Sequence, residues 1–280
     1  MPSLKYRVFS GFVKLLPLKF WLKLFFAIRM KRLADLNEPR TFNEKIMYRK
    51  FNGRNDVFSR MADKIEAKKI VKKLNEKISV PRSFWEGNDF SSLDLNDLPT
   101  KFVFKANHAS GTNLIVLNRE DVSIEQLMKL RDEWFRHEQH HTMGEWAYKN
   151  IKKKVFIEEY LDFSGTSPDD YKFFVYHGRV RFIQLDRGRF SYHTRNMYDR
   201  KWNDLGISYS HPKGDDITKP KFIEDMIEIA ESIWGGLDFV RVGFYYDEGN
   251  IWFGEYTIYP GGGYERFPSL EIDLLFGEYW

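Results

Sequence analysis

The chain has 280 residues, 42% of them hydrophobic and none of them cysteine, enough for one large domain or two small ones. Disulfides, thiolate metal sites and cysteine nucleophiles are excluded, and a reducing compartment is permitted. The net charge of +4 is uneven: eight of the 44 basic residues (Lys5, Arg7, Lys14, Lys19, Lys23, Arg29, Lys31, Arg32) and no acid fall within residues 1–32, leaving 36 basic against 40 acidic side chains elsewhere. The basic excess belongs to an arm, so no nucleic-acid partner is expected for the body.

Residues 1–34 mix Lys and Arg with Phe, Trp and Leu, and Pro17 divides them into two short helices. Their uncharged runs are far short of the roughly 20 residues a spanning helix needs, and no secretory cleavage site follows. Two readings are open. The arm lies in an anionic membrane interface, placing the protein on the inner face of the plasma membrane, or it packs on the body with snorkelling lysines.

Residues 36–78 read as helical. In "EPRTFNEK", Thr41 stands three before Glu44, the spacing of a capping box, and "MADKIEAKKIVKKL" places Ile65, Ile70 and Leu74 on helical spacing. "SVPRSFWE" is a short extended piece, and "LDLNDLPT" a turn-rich connector. "KFVFKA" and "NLIVLN" are strands joined by the small-residue turn "NHASGT". "SIEQLMKLRDEWFRHEQ" is an amphipathic helix, capped by Ser123 with Gln126, and "KKVFIEEYL" is a strand.

After the loop "DFSGTSPDD", "YKFFVYHG" and "RVRFIQLDRGR" form a hairpin turning at His177–Gly178. "KFIEDMIEIAESIWGGL" is a helix ended by Gly235–Gly236, and "FVRVGFYYDEGNIWFGEYTIY" is a second hairpin. "PGGGYERFPS" is a glycine-rich loop that fits neither a dinucleotide fingerprint nor a P-loop. Helices and antiparallel hairpins mixed in this way make the chain α+β.

"HEQHH" matches the zinc motif H-E-x-x-H through His137, Glu138 and His141. The intervening Gln139 and His140 are polar where a buried zinc helix wants apolar neighbours, so a solvated helix end is the plainer reading. Lys105 is more informative. A strand-borne lysine among apolar residues needs an anion, and the adjacent turn (His108, Ser110, Gly111, Thr112) offers backbone N–H groups and hydroxyls. Surface charge and a polyphosphate site are both open for Lys105 alone. Of Glu158 and Glu159, ending an apolar strand, one must face inward or sit at the rim. Asp170 and Lys172 share one face of the next strand. Glu255, among aromatics on a central-looking strand, reads as a Mg²⁺ ligand or as the cross-strand partner of Arg241.

Six segments carry a resemblance: "EPRTFNEKI", "ADKIEAKKIV", "LPTKFVFKANHASGTN", "EWAYKNIKKKVFIEEYL", "DDYKFFVYHGRVRFIQLDR" and "FVRVGFYYDEGNIWFGEYTIYPGGG". In content and order they resemble the TupA-like branch of the ATP-grasp superfamily, linked to teichuronopeptide and other surface-polysaccharide biosynthesis. The resemblance implies two α+β lobes clamping ATP, over residues 35–157 and 158–280, behind the basic helical arm 1–34. It implies that Lys64 and Lys105 reach the nucleotide, that His108 to Thr112 form a flap over its phosphates, and that Glu158, Glu159, Tyr160 and Leu161 form the hinge strand at the adenine. Asp170 matches the ribose contact with Lys172 nearby, Arg241 a phosphate-side arginine, and Glu255 with Thr257 the magnesium ligands; Arg241 and Lys172 are the expected catalytic residues. Where relatives carry Asp in "R-V-D", this chain carries Gly243.

The chemistry implied is ATP-dependent carboxylate–amine ligation in the cytoplasm, with ATP and Mg²⁺, on a small-molecule or lipid-linked saccharide substrate. "DRGRFSYHTRNMYD" offers Arg187 and Arg195 either as a substrate site or as a solvated basic loop. Two other functions keep the fold: a glycosyltransferase-type transferase of the same pathway, and a non-catalytic nucleotide binder with a weakened metal site at Gly243.

Overall fold

A computed structural model describes residues 17–136, 138–163, 168–189 and 191–280. The arm before Pro17, His137 of the zinc-like motif and residues 164–167 of the loop "DFSGTSPDD" lie outside the described residues.

Helix α1 (Leu18–Met30) begins directly after Pro17. It buries Leu22 and Phe26 against Met47 and Tyr264, with Phe25 edge-on to the Tyr264 ring at 4.7 Å. This part of the arm therefore packs on the body. The expected capping box opens α2 (Phe42–Asn52): the Thr41 hydroxyl accepts from Glu44 N, and the Glu44 carboxylate accepts from Thr41 N. Glu44 also holds Arg32, which reaches Asp273 at 3.0 Å. After α3 (Asp56–Ala62), Asp63 caps α4 (Lys64–Leu74) by accepting from Ile65 N at 2.9 Å.

The first sheet contains β1 (Ser83–Gly87), β2 (Phe102–Ala106), β3 (Asn113–Val116) and β4 (Val155–Glu159), antiparallel throughout in the order β1-β4-β2-β3. Strand alternation sorts its faces. Phe102, Phe104, Ala106, Val155 and Ile157 pack with Leu127 and Trp134 of α5 (Ile124–Phe135), whose Ser123–Gln126 capping box forms as expected. Val103, Lys105, Phe156 and Glu158 take the opposite face, towards α4. The "HEQHH" region supplies only the one-turn helix α6 (Gln139–Met143), and no metal-competent group of three or more His, Cys, Asp or Glu occurs among the described residues.

The second sheet is also antiparallel, in the order β7-β6-β5-β8-β9: β5 (Asp170–Tyr176), β6 (Arg179–Arg187), β7 (Thr194–Asp199), β8 (Phe239–Asp247) and β9 (Asn250–Thr257). One face, with Tyr171, Phe173, Ile183, Val242 and Phe244, joins the core that holds Ile223, Met226 and Ile227 of α7 (Ile223–Ser232). The other face is divided along the strands. At one end Phe174, Phe182 and Phe239 meet Phe42 and Phe276 of α8 (Leu270–Glu278), with Phe182 and Phe276 stacked at 4.1 Å. At the other end it carries Asp170, Lys172, Asp186, Arg195, Arg241 and Glu255.

The structure departs from the sequence reading in three places. "HTRNMYD" contains strand β7, whose buried run Arg195–Tyr198 mixes the polar Arg195 and Asn196 with Met197 and Tyr198, so no clean apolar alternation marks it. Helix α8 carries Glu271, Asp273 and Glu278 among its apolar residues and gives only a weak amphipathic signal. Strand β9 is an edge rather than a central strand. Its outer edge is partly covered by Ser79, which exchanges backbone hydrogen bonds with Ile251 and Phe253 at 2.8 Å.

Candidate active site

The face of the first sheet that meets α4 gathers three lysines. Lys64 and Lys68 stand one turn apart at the start of α4, and Lys105 comes from β2. The β2–β4 register sets Val103 opposite Glu158 and Lys105 opposite Phe156, so Lys105 and Glu158 are diagonal neighbours on one face. The buried Glu158 carboxylate takes Lys105 Nζ at 2.5 Å on one oxygen and Lys68 Nζ on the other. Lys64 Nζ donates to Ala106 O at 3.0 Å and Ala109 O at 2.7 Å, inside the base of the β2–β3 turn. Asn107 locks this turn to α4 by donating to Asp63 at 2.8 Å.

Burial pulls all three ammoniums down. Lys64 falls to about 8 despite the attraction of Glu255 and Asp63. Lys105 falls to about 8 through burial and repulsion from Lys64, and Lys68 to about 7 through burial and repulsion from Lys105 and Lys64. One carboxylate among three crowded lysines is an arrangement that a polyanion would relieve. Lys68 escaped the sequence reading. The available signal was its position four residues after Lys64, on the same helical face.

The other predicted residues of this lobe divide. His108 is buried with its ring against Phe135 and Nε2 3.3 Å from Trp134 O, and Thr112 is buried with its hydroxyl on Ala109 O at 3.0 Å. Ser110 and Gly111 form the exposed tip. Gly111 has φ +71 and open space where a Cβ would stand, as suits a loop that must approach a ligand closely. Glu158 and Glu159 diverge to opposite faces of β4, the latter accepting from Arg82 N at 3.1 Å. Tyr160 and Leu161 follow as half-buried residues leading out of the strand.

On the second sheet, β5 and β6 build a buried charge network. Lys172 Nζ lies between Asp170 (2.6 Å) and Asp186 (2.5 Å). Asp186 also accepts from Arg195 Nε at 2.6 Å and from Gln184 at 2.8 Å, while Asp170 accepts from Arg189 at 2.8 Å. Burial would push the Asp186 carboxyl up, but the charges of Lys172 and Arg195 hold it far below the usual carboxylate range. Lys172 therefore fixes Asp170 in place, and its ammonium is already shared by two carboxylates.

Arg241 on β8 donates to the Thr257 hydroxyl at 3.3 Å and lies 4.0 Å from Glu255 on β9, whose side chain is more than half exposed. The buried Arg241 Nε has no hydrogen-bond partner among the described residues. Gly243 pairs with Lys172 on one side and Glu255 on the other. It leaves a gap where a side chain would join the polar face.

The residues for a magnesium ion are consequently few: the Glu255 carboxylate and the Thr257 hydroxyl, which itself donates to Glu255 at 3.1 Å. Such a set fits an ion held mainly by nucleotide phosphates, since magnesium commonly takes one or two protein carboxylates plus phosphate oxygens. A Cβ added at Gly243 would meet its nearest neighbours, all atoms of Glu255, at an ordinary 3.6 Å, so the backbone there accepts a side-chain Cβ without a clash.

Beside the network lies a cavity of about 480 Å³ lined by Asp169, Arg187, Tyr192, Thr194, Lys213 and Asp215. Arg187 lies 3.4 Å from Asp169. Arg195 is instead buried against Asp186, which His193 also approaches at 3.5 Å, and His193 stacks on His211 at 3.6 Å.

A family model described as TupA-like ATP-grasp matches residues 44–280. The chain belongs to the TupA-like ATP-grasp family. Its two antiparallel α+β lobes are thus those of an ATP-grasp fold, and the lysine cradle and the polar face of the second sheet belong one to each lobe. No curated protein matches this ATP-grasp chain in sequence. Among solved structures it is similar to D-alanine–D-alanine ligase from Bacillus anthracis in complex with ATP (18% identity, TM-score 0.42, covering 70% of this chain and 54% of that one). It is also similar to D-alanine–D-alanine ligase from Helicobacter pylori (15%, 0.46, 79% and 61%) and to an L-amino acid ligase from Bacillus licheniformis (10%, 0.44, 78% and 45%). The chain spans 45 to 61% of the length of these three ligases.

Proposed function

We propose that this chain is an ATP-dependent carboxylate–amine ligase that modifies a precursor of a cell-surface polysaccharide. The observation that carries the reading is the clustering of Lys64, Lys68 and Lys105, of which Lys68 and Lys105 share the Glu158 carboxylate while Lys64 is held by the Ala106 and Ala109 carbonyls, facing Arg241 and Glu255 of the opposite lobe. In this reading the three lysines bind the triphosphate, and the Ser110–Gly111 tip covers it and excludes water. Arg241 takes the transferring phosphoryl group and Asp170 the ribose, with Asp170 held in place by Lys172 and Arg189. A carboxylate substrate enters the cavity beside Arg187. Its oxygen attacks the γ-phosphorus and ADP leaves. An amine then attacks the acyl carbon of the acyl phosphate, loses a proton, and inorganic phosphate leaves. Magnesium, held by Glu255 and Thr257, would neutralise charge on the phosphates.

The test is nucleotide analysis after incubation with Mg²⁺, ATP and paired carboxylate and amine candidates. ADP and phosphate formed in step with an amide product are expected. Release of UDP from a sugar nucleotide would instead support a transferase.

A second reading, a nucleotide binder without turnover, is favoured by Gly243. Gly243→Asp places a second carboxylate beside Glu255 and is expected to tighten Mg–ATP binding on the order of tenfold. Titration calorimetry with and without Mg²⁺ measures this. If the variant binds Mg–ATP as the parent does, the gap at position 243 does not limit the metal.

A further inference from the structure

One face of α1 seats the helix on the body and another does not. Leu22 and Phe26 are 1% and 0% exposed, whereas Phe20, Leu24 and Ile28, each four residues from the next, are 57%, 38% and 64% exposed. That spacing puts them in a single apolar row along the helix. The exposed Lys19 and Lys23 flank the row on one side, and Lys31 and the 81%-exposed Leu33 continue it past the helix end. No acid occurs before Asp35, and the sequence ahead of the helix adds Lys5, Arg7 and Lys14.

We infer that the outer row of α1 is a docking surface for an anionic lipid bilayer, with Phe20, Leu24 and Ile28 entering the interface and the lysines meeting lipid phosphates. Charge selects this occupant over two others. A second copy of the chain would bring two lysine-flanked rows together, and residues 1–16 carry the same positive sign as the row. No helix among the described residues is long and apolar enough to cross a membrane. The inference is independent of the nucleotide site, which lies on other elements.

The experiment is co-sedimentation of the full chain with vesicles of phosphatidylcholine alone or mixed with phosphatidylglycerol. The parent is expected to sediment with the mixed vesicles at low salt and to be released by high salt. Phe20→Ser/Leu24→Ser/Ile28→Ser and, separately, Lys19→Glu/Lys23→Glu are each expected to weaken partitioning at least tenfold. ATP binding and the thermal midpoint serve as controls for folding. The proposal is overturned if the parent binds neither vesicle. It is also overturned if the triple variant binds as the parent does, which would assign the lipid contact to residues 1–16. A parent dimer that the triple variant converts to monomer would overturn it too, by assigning the row to a contact between copies.

Discussion

Asp186→Ala is expected to lower the stability of the fold by about 3–5 kcal/mol, the range for removing one partner from a buried charge pair. Asp186 is the shared acceptor of Lys172 and Arg195, and all three side chains are buried. Without it Lys172 keeps Asp170, but the Arg195 guanidinium loses its only ion-pair partner among the described residues. Asp186→Asn, which keeps the shape and some hydrogen bonding, is expected to fall between parent and alanine variant.

The pH dependence has a definite sign. The folded-state pKa of Asp186 is depressed, so its contribution is present above the ordinary carboxylate value of about 4 and is lost as pH falls below it. The stability gap between parent and Asp186→Ala should therefore be widest near neutrality and close in acid. Urea unfolding at pH 7, 5 and 3 measures it. A gap below about 1 kcal/mol at pH 7 would mean that the network does not compensate these cations.

Lys105→Met is expected to reduce ATP-dependent turnover about 100-fold, the scale for removing one preorganised donor from a developing oxyanion. Lys68→Met, one turn into α4, should cost nearer tenfold in nucleotide affinity. Both rest on the same electrostatics. In the free protein Lys64 and Lys105 titrate near 8 and Lys68 near 7, and a bound polyanion favours the protonated forms. Nucleotide affinity should therefore fall as pH rises from 7 to 9, more steeply in the parent than in Lys68→Met. Stability of the free protein runs the other way: the cost of the crowded ammoniums is present below about pH 7 and is relieved as pH rises towards the unfolded value of about 10.4. Calorimetric ATP titrations across that range decide the matter. An affinity that does not change with pH would remove the lysines from the phosphates.

Much of this site was legible because strand alternation is a strong signal. In "KFVFKA" the apolar Phe102, Phe104 and Ala106 claim the core, which leaves Lys105 on the other face. The Thr41 and Ser123 capping boxes, the His177–Gly178 turn and the order of the family segments were equally plain. The charge network was not, and the reason is local. Counting back from the turn with regular pairing sets Asp170 opposite Leu185. A bulge between Phe174 and Val175 shifts the register by one and brings Asp186 opposite Asp170 instead. Nothing in the alternation of β5 or β6 announces that bulge. Strand β7 was hidden for a related reason, since its inward Arg195 answers a charge on β6 rather than an apolar core.

The seat of α1 has a consequence for synthesis. Phe25 and Phe26 pack against Tyr264, some 240 residues later in the chain, and Arg32 just beyond the helix waits equally long for Asp273. Until those residues leave the ribosome, the helix has neither its aromatic anchor nor that carboxylate partner, and its inner as well as its outer apolar residues are available to whatever lies nearby. Nascent chains should therefore reach a lipid surface, or a chaperone, more readily than the finished protein. The late arrival of Tyr264 would then turn an all-round sticky helix into one with a single free side.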